Sequence, residues 1–157
     1  MEKLAELYKR WKGTAPAMMA QLPEAGSNRK YYRLTGEDGE SVIGVVGNSR
    51  DENHTFIYLT NHFTERRLPV PHILAVDDDE LRYLQTDLGS TSLFDVLRGG
   101  RESGGRYNIR EKQLLTAVIR ELPNIQIRGA RGLDWQVCYP QPEFDVDSVL
   151  FDLNYFK

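Results

Sequence analysis

Cysteine is almost absent from this chain: Cys138 is the only one in 157 residues. No disulfide can form within one copy, so stability must come from a packed core, and the reducing cytoplasm is the expected setting. Histidine is scarce as well. His54, His62 and His72 stand in no metal-ligand spacing with Cys138, which excludes a Cys/His metal site. His54 and His62 lie eight positions apart on a predicted helix and read as solvated helix histidines. Positive charge is not in excess: 20 Lys and Arg against 23 Asp and Glu leave a net charge of −3, not the basic face of a dedicated nucleic-acid binder. No apolar run approaches the roughly 18 residues that cross a bilayer, so no membrane association is expected. The opening Met1-Glu2-Lys3-Leu4-Ala5-Glu6 has no cationic lead before an apolar stretch, so no signal peptide is expected. Internal repeats and low-complexity tracts are missing too.

What remains is ordinary globular material, 40% hydrophobic and 27% charged, of a length that suits one domain with a real core. Basic clusters at 29–33 and 98–110 leave small anions open as ligands. Leu4, Leu7, Tyr8 and Trp11 recur at i, i+3, i+4, i+7, which predicts an amphipathic helix over 2–12 ended by Gly13. Strands are expected at 20–24 and 30–34 around a Gly26 turn. Asp38-Gly39 supplies the positive-φ position of a hairpin leading to a third strand, 41–46. Ser49 three residues before Glu52 is a capping-box pattern, and the helix it opens carries Phe56, Leu59 and Phe63 on one face. Leu68-Pro69-Val70-Pro71 stops that helix. Strands at 72–76 and 81–86 flank the acidic run Asp77–Glu80, read as solvated turn chemistry rather than a metal site.

After Gly89 the character changes. Ser92 opens a short helix, and the Gly- and Arg-rich stretch 98–106 reads as a loop. Leu114, Leu115, Val118, Ile119 and Leu122 give a helical face over 109–122 closed by Pro123. Residues 129–142 read as irregular and 145–157 as a further helix. The expected class is α+β: a five-stranded antiparallel sheet with one inserted helix, followed by helices.

Three segments sharpen this plan: Gly26-Ser27-Asn28-Arg29-Lys30-Tyr31-Tyr32-Arg33-Leu34, Leu68-Pro69-Val70-Pro71-His72-Ile73-Leu74-Ala75, and Tyr83-Leu84-Gln85-Thr86-Asp87-Leu88-Gly89-Ser90-Thr91-Ser92-Leu93. In that order and spacing they resemble the aminoglycoside phosphotransferase and choline kinase-like family, in particular its branch of small-molecule and amino-sugar kinases. The resemblance runs from about Gln21 to the end of the chain. It implies a protein-kinase-like small lobe over 1–88, with an N-terminal helix, and the helical start of an incomplete large lobe over 89–157. It also implies ATP with Mg²⁺ as the cofactors of an intact phosphotransferase acting on a sugar or aminoglycoside-like hydroxyl. Gly26, Ser27 and Asn28 would cover the nucleotide phosphates, and Thr86, Asp87 and Leu88 would be the interlobe hinge whose backbone pairs the adenine edge. Arg29 and Arg33 would reach phosphate through their forked donors, or serve as surface arginines of a hairpin.

Two departures bear on activity. The third strand, Ser41-Val42-Ile43-Gly44-Val45-Val46, lacks the lysine that kinase small lobes pair with a helix glutamate. Lys30, Arg29 or Arg33 would have to replace it; Glu52 could be the helix acid, but its spacing to Ser49 favours capping as its job. No histidine here is followed by Gly-Asp, so the chain has no catalytic residue and no metal ligand of the family's kind. The expectation is an amino-terminal nucleotide-binding portion, incompetent alone, whose partners are nucleotide and either its own missing C-terminal lobe or a second copy. A non-catalytic kinase-derived interaction module and an α+β domain unrelated to kinases are the alternatives.

Overall fold

Leu4, Leu7 and Tyr8 decide where the first helix goes. Helix α1 (Glu2–Lys12) buries all three, while Lys9, Arg10 and Lys12 crowd its last turn, where cations favour the helix dipole. Gly13 ends it in the left-handed region at φ 88°, as the sequence predicts. In this computed structural model, which describes residues 1–23, 28–143 and 145–155, α1 lies across one face of a five-stranded sheet.

The strands are β1 (Met18–Gln21), β2 (Lys30–Thr35), β3 (Ser41–Val46), β4 (Ile73–Val76) and β5 (Arg82–Thr86). Their order is β1-β2-β3-β5-β4, every neighbouring pair antiparallel. Helix α2 (Arg50–Glu65) is inserted between β3 and β4. The α+β class and the five-stranded antiparallel sheet are therefore as expected. The strand β1 begins and ends earlier than predicted, because its register is set by β2: Met18 opposes Thr35 and Gln21 opposes Tyr32. Glu24, the predicted end of that strand, lies outside the described residues.

Period-2 alternation gives the sheet two apolar faces. Tyr32, Leu34, Val42 and Leu84 pack with Leu4, Leu7 and Tyr8 of α1, each fully buried side chain contributing about 1.5–3 kcal/mol. Gly44 makes that contact possible: a Cβ there would stand 2.6 Å from Leu34 Cδ1 and 2.9 Å from Leu4 Cδ2. Ile43, Val45 and Tyr83 point the other way, toward Phe56 and Ile57 of α2.

On α2 the burial pattern departs from the hydropathy pattern. Asn53, Thr55, Thr60 and His62 are its buried residues, whereas Phe56, Leu59 and Phe63 are only half-buried. Thr55 and His62, with the half-buried Tyr58, meet the backbone of segment 128–139, which runs along the helix. Thr55 Oγ1 donates to the Val137 carbonyl at 2.6 Å, the Asp134 N–H donates to Tyr58 Oη at 2.7 Å, and His62 Nε2–H donates to the Gly129 carbonyl at 2.8 Å. His62 is thus a buried donor, not the solvated histidine expected; His54 is exposed as read.

Helices α3 (Leu93–Val96), α4 (Arg98–Glu102), α5 (Ile109–Pro123) and α6 (Val146–Tyr155) follow. The stretch read as a loop at 98–106 contains α4, anchored where the Gly100 N–H donates to Glu111 Oε1 at 3.0 Å. Gly100 sits there because the Tyr107 ring lies where its Cβ would be, a packing demand rather than a turn signal. As expected, α5 ends at Pro123, but the chain stays helical beyond that residue. Lacking an N–H, the proline cannot continue the i→i−4 ladder, and residues Asn124–Arg128 absorb the lost bond as a π-helical segment. No helix among the described residues is long and apolar enough to cross a membrane.

Candidate functional site

The chemistry gathers at the two ends of β2. At its start, Arg29 precedes Lys30, which pairs with Val46, so the guanidinium lies beside the β3–α2 connection. Ser49 caps α2 by accepting from the Glu52 N–H at 3.3 Å. The Glu52 carboxylate turns to Arg29, Oε1 to Nη2 at 3.2 Å. Arg29 Nη2 also donates to the Glu52 carbonyl at 3.1 Å, and Nε donates to Asn53 Oδ1 at 3.1 Å. The guanidinium rests over the Phe56 ring, 5.3 Å from its centroid. Of the three cations weighed as a replacement for the missing strand lysine, Arg29 is the one paired with the helix acid.

Asn53 holds this corner together. It is fully buried; its Nδ2 donates to the Glu80 carbonyl at 2.8 Å while its Oδ1 receives Arg29. A Cβ on Gly47 would come within 2.4 Å of its amide, so the glycine admits the close approach. In the Asp77–Glu80 turn Asp78 is exposed as read, but the other three acids are ion-paired rather than solvated. Asp77 binds Arg10 and Arg82, Asp79 binds Arg82, and Glu80 binds Arg50 and His54. The His54 and Arg50 contacts hold the Glu80 carboxyl below the usual range. For Asp77, partial burial works against ionisation, but Arg82 and Arg10 outweigh it and its carboxyl is also lowered. Behind Phe56, the Tyr83 ring stacks at 5.4 Å. Its hydroxyl is buried without a hydrogen-bond partner among the described residues, and burial raises its pKa.

At the other end of β2, Arg33 grips Asp87 through Nε (2.5 Å) and Nη2 (3.0 Å). Ser41 Oγ donates to the same carboxylate at 2.7 Å and the Gly89 N–H at 2.8 Å. Hydrogen bonds from Arg33, ahead of those from Ser41 and Gly89, pull the Asp87 carboxyl down to about 2 against its partial burial. Thr86 is the last residue of β5; its N–H donates to the His72 carbonyl and its hydroxyl accepts from the His72 N–H, both at 3.0 Å. The Leu88 side chain is 73% exposed, and its backbone makes no hydrogen bond among the described residues.

Register relates the two ends. β2 and β5 both run antiparallel to β3, with Lys30 level with Val46 and Thr86 level with Val42. Asn28 and Arg29 therefore stand at one end of the strands and Leu88 at the other, roughly 23–26 Å apart for about seven to eight residues at about 3.3 Å each. Gly26 and Ser27, the expected phosphate-covering residues, lie outside the described residues. Asn28 is exposed beside them.

Asn53 and Ser41 are the site residues that the sequence reading missed. A lone Asn in the first turn of a helix carries no hydropathy signal, and Ser41 reads as the start of a strand. Among the described residues no three His, Cys, Asp or Glu side chains cluster as metal ligands. A cavity of about 640 Å³ lies elsewhere, between α1 and the acidic turn, lined by Lys3, Lys9, Arg10, Asp77 and Asp78 among others. The bridge from Arg10 to Asp77 already neutralises part of its rim. Scanned against protein-family models, the chain matches none, and a search of curated proteins returns no match.

Proposed function

We propose that this chain is the nucleotide-binding portion of an ATP-dependent small-molecule phosphotransferase, built as a protein-kinase-like small lobe over 1–88 and the first helices of a large lobe over 89–157. The observation that carries the reading is the Arg29–Glu52 ion pair. It joins a cation just ahead of β2 to an acid on the helix inserted after β3, similar to the strand-lysine and helix-glutamate pairing that phosphoryl-transfer lobes use to hold nucleotide phosphates. Guanidinium suits that role because its planar fork matches phosphate oxygens. The exposed Leu88 peptide, one strand-length away, fits a partner for the base edge.

Chemistry then needs groups that these residues do not bring together. No His-Gly-Asp segment is present, and Asp77, Asp79 and Glu80 of the acidic turn are engaged by cations. A catalytic base and ligands for Mg²⁺ would come from a further lobe, with the acceptor hydroxyl bound there. A non-catalytic interaction module is the second reading, favoured by the apolar side chains that α5 and α6 leave exposed, among them Ile119, Phe151 and Leu153. Either the missing lobe or a second copy would cover them.

Titration of the chain with MgATP, followed by amide NMR, separates the readings. Shifts at Asn28–Arg29 and at Thr86–Leu88 are expected. Unchanged amides at both ends at millimolar nucleotide would refute the nucleotide reading and leave the module.

A further inference from the structure

The Asp87 carboxylate has more partners than a surface turn requires. Its side chain is only 7% exposed, and it accepts two bonds from Arg33, one from Ser41 Oγ and one from the Gly89 N–H. Arg33 stands on β2 and Asp87 follows β5, yet β3 lies between those strands. The guanidinium therefore reaches across β3 at the level of Ser41, stitching three strands together at one end. Its third nitrogen, Nη1, donates to Ser90 Oγ at 3.3 Å, so the bridge extends past the sheet into the segment leading to α3. Gly89 adopts φ 90°, which turns the chain back so that its N–H meets the carboxylate.

We infer that Arg33 and Asp87 form a clamp that fixes the crossing from sheet to helices and holds the Leu88 peptide in one orientation. All three guanidinium nitrogens are engaged within the clamp, so Arg33 is a positioning residue and not a phosphate ligand. The carboxylate is equally filled by donors. What the clamp leaves outward is Leu88, with its side chain and backbone toward solvent. That the Leu88 peptide reads a base edge rests on the nucleotide reading above; the clamp itself does not.

The test uses the 157-residue chain. Without nucleotide, the Asp87 carboxyl carbon is titrated by NMR in the wild type and in Arg33→Lys, which keeps the charge and loses the fork. The wild-type midpoint is expected near 2 and the variant midpoint closer to the ordinary aspartate value of about 3.9. Amide exchange at Gly89, whose N–H is held by Asp87, is expected to rise about tenfold in Asp87→Ala with β1 and β4 unchanged, as for a local opening. Ser41→Ala, which removes a single bond, should show a smaller rise and serves if Asp87→Ala fails to fold. An Asp87 midpoint in the ordinary range in the wild type, or one unmoved in Arg33→Lys, overturns the clamp. Equal exchange in wild type and Ser41→Ala overturns it as well. With MgATP, Asp87→Ala should lose the Leu88 shift and keep that at Arg29; retention of both would show that the clamp does not position the peptide. A wild type with the clamp signatures but no MgATP shifts would refute the nucleotide reading alone.

Discussion

Asn53→Ala removes the side chain on which the Arg29 corner depends. The native amide accepts from Arg29 Nε at 3.1 Å and donates to the Glu80 carbonyl at 2.8 Å, with no exposed surface. A hydrogen bond to a charged group contributes about 1.5–3 kcal/mol and a neutral one about 0.5–1.5. Arg29 keeps its contact with Glu52, which puts the first term at its lower end, while the Glu80 carbonyl is left without this donor. The sum is roughly 2–3 kcal/mol of destabilisation. In a urea unfolding curve with a slope of about 2 kcal/mol/M, the midpoint should fall by about 1–1.5 M at unchanged slope. Asn61→Ala, on the same helix but exposed, is the control and should stay within about 0.5 kcal/mol. If Asn53→Ala behaved like that control, Asn53 would not be the hub of this corner, and the argument that Arg29 is pre-oriented would fail with it.

Three other perturbations follow from the same contacts. Gly44→Ala sets a methyl against Leu4 and Leu34, both fully buried, and should destabilise by about 1–3 kcal/mol through overpacking; thermal unfolding at the wild-type midpoint would contradict the close approach of α1. Asp77, Glu80 and Asp87 have folded pKa values below their ordinary ones. Their contribution is therefore fully present above pH about 4 and is lost as pH falls, Asp87 last. Acid titration by circular dichroism should show stability declining from pH about 4 toward 2, and a curve flat over that window would contradict the pairings. Phe151→Glu on α6, where Phe151 is 75% exposed, should reduce concentration-dependent association in sedimentation, because contiguous exposed apolar surface drives such contacts; a wild type that stays monomeric at high concentration would contradict the premise.

The sheet was legible because its signals are local. Asp38-Gly39 dictates a hairpin, the β-branched run from Ser41 to Val46 matches β3 residue for residue, and Ser49 caps α2 as its spacing to Glu52 implies. Where burial is polar, hydropathy missed a second buried face. One side of α2 packs on the sheet through Phe56 and Ile57, but the other is covered by backbone, which asks for donors and acceptors such as Thr55, Tyr58 and His62. No scale that ranks those residues as surface can foresee that. The glycines near Gly100 misled for a related reason, and Pro123, which does end α5, gave no sign of the helical turn that follows it. Rules that read proline as a stop and glycine as a turn omit a π-helical accommodation and an aromatic ring seated on a backbone. At the site, Arg29, Arg33 and Asp87 could be singled out from sequence. Their opposite employment, one beside a helix acid and the other locked to a carboxylate, depends on strand register that only the fold supplies.

The most direct measurement is a crystal structure of the chain with a non-hydrolysable ATP analogue. The account predicts phosphate oxygens within hydrogen-bond reach of the Arg29 guanidinium and a base edge against the Leu88 backbone. Nucleotide seated instead in the cavity between α1 and the acidic turn, or in contact with neither Arg29 nor Leu88, would contradict it.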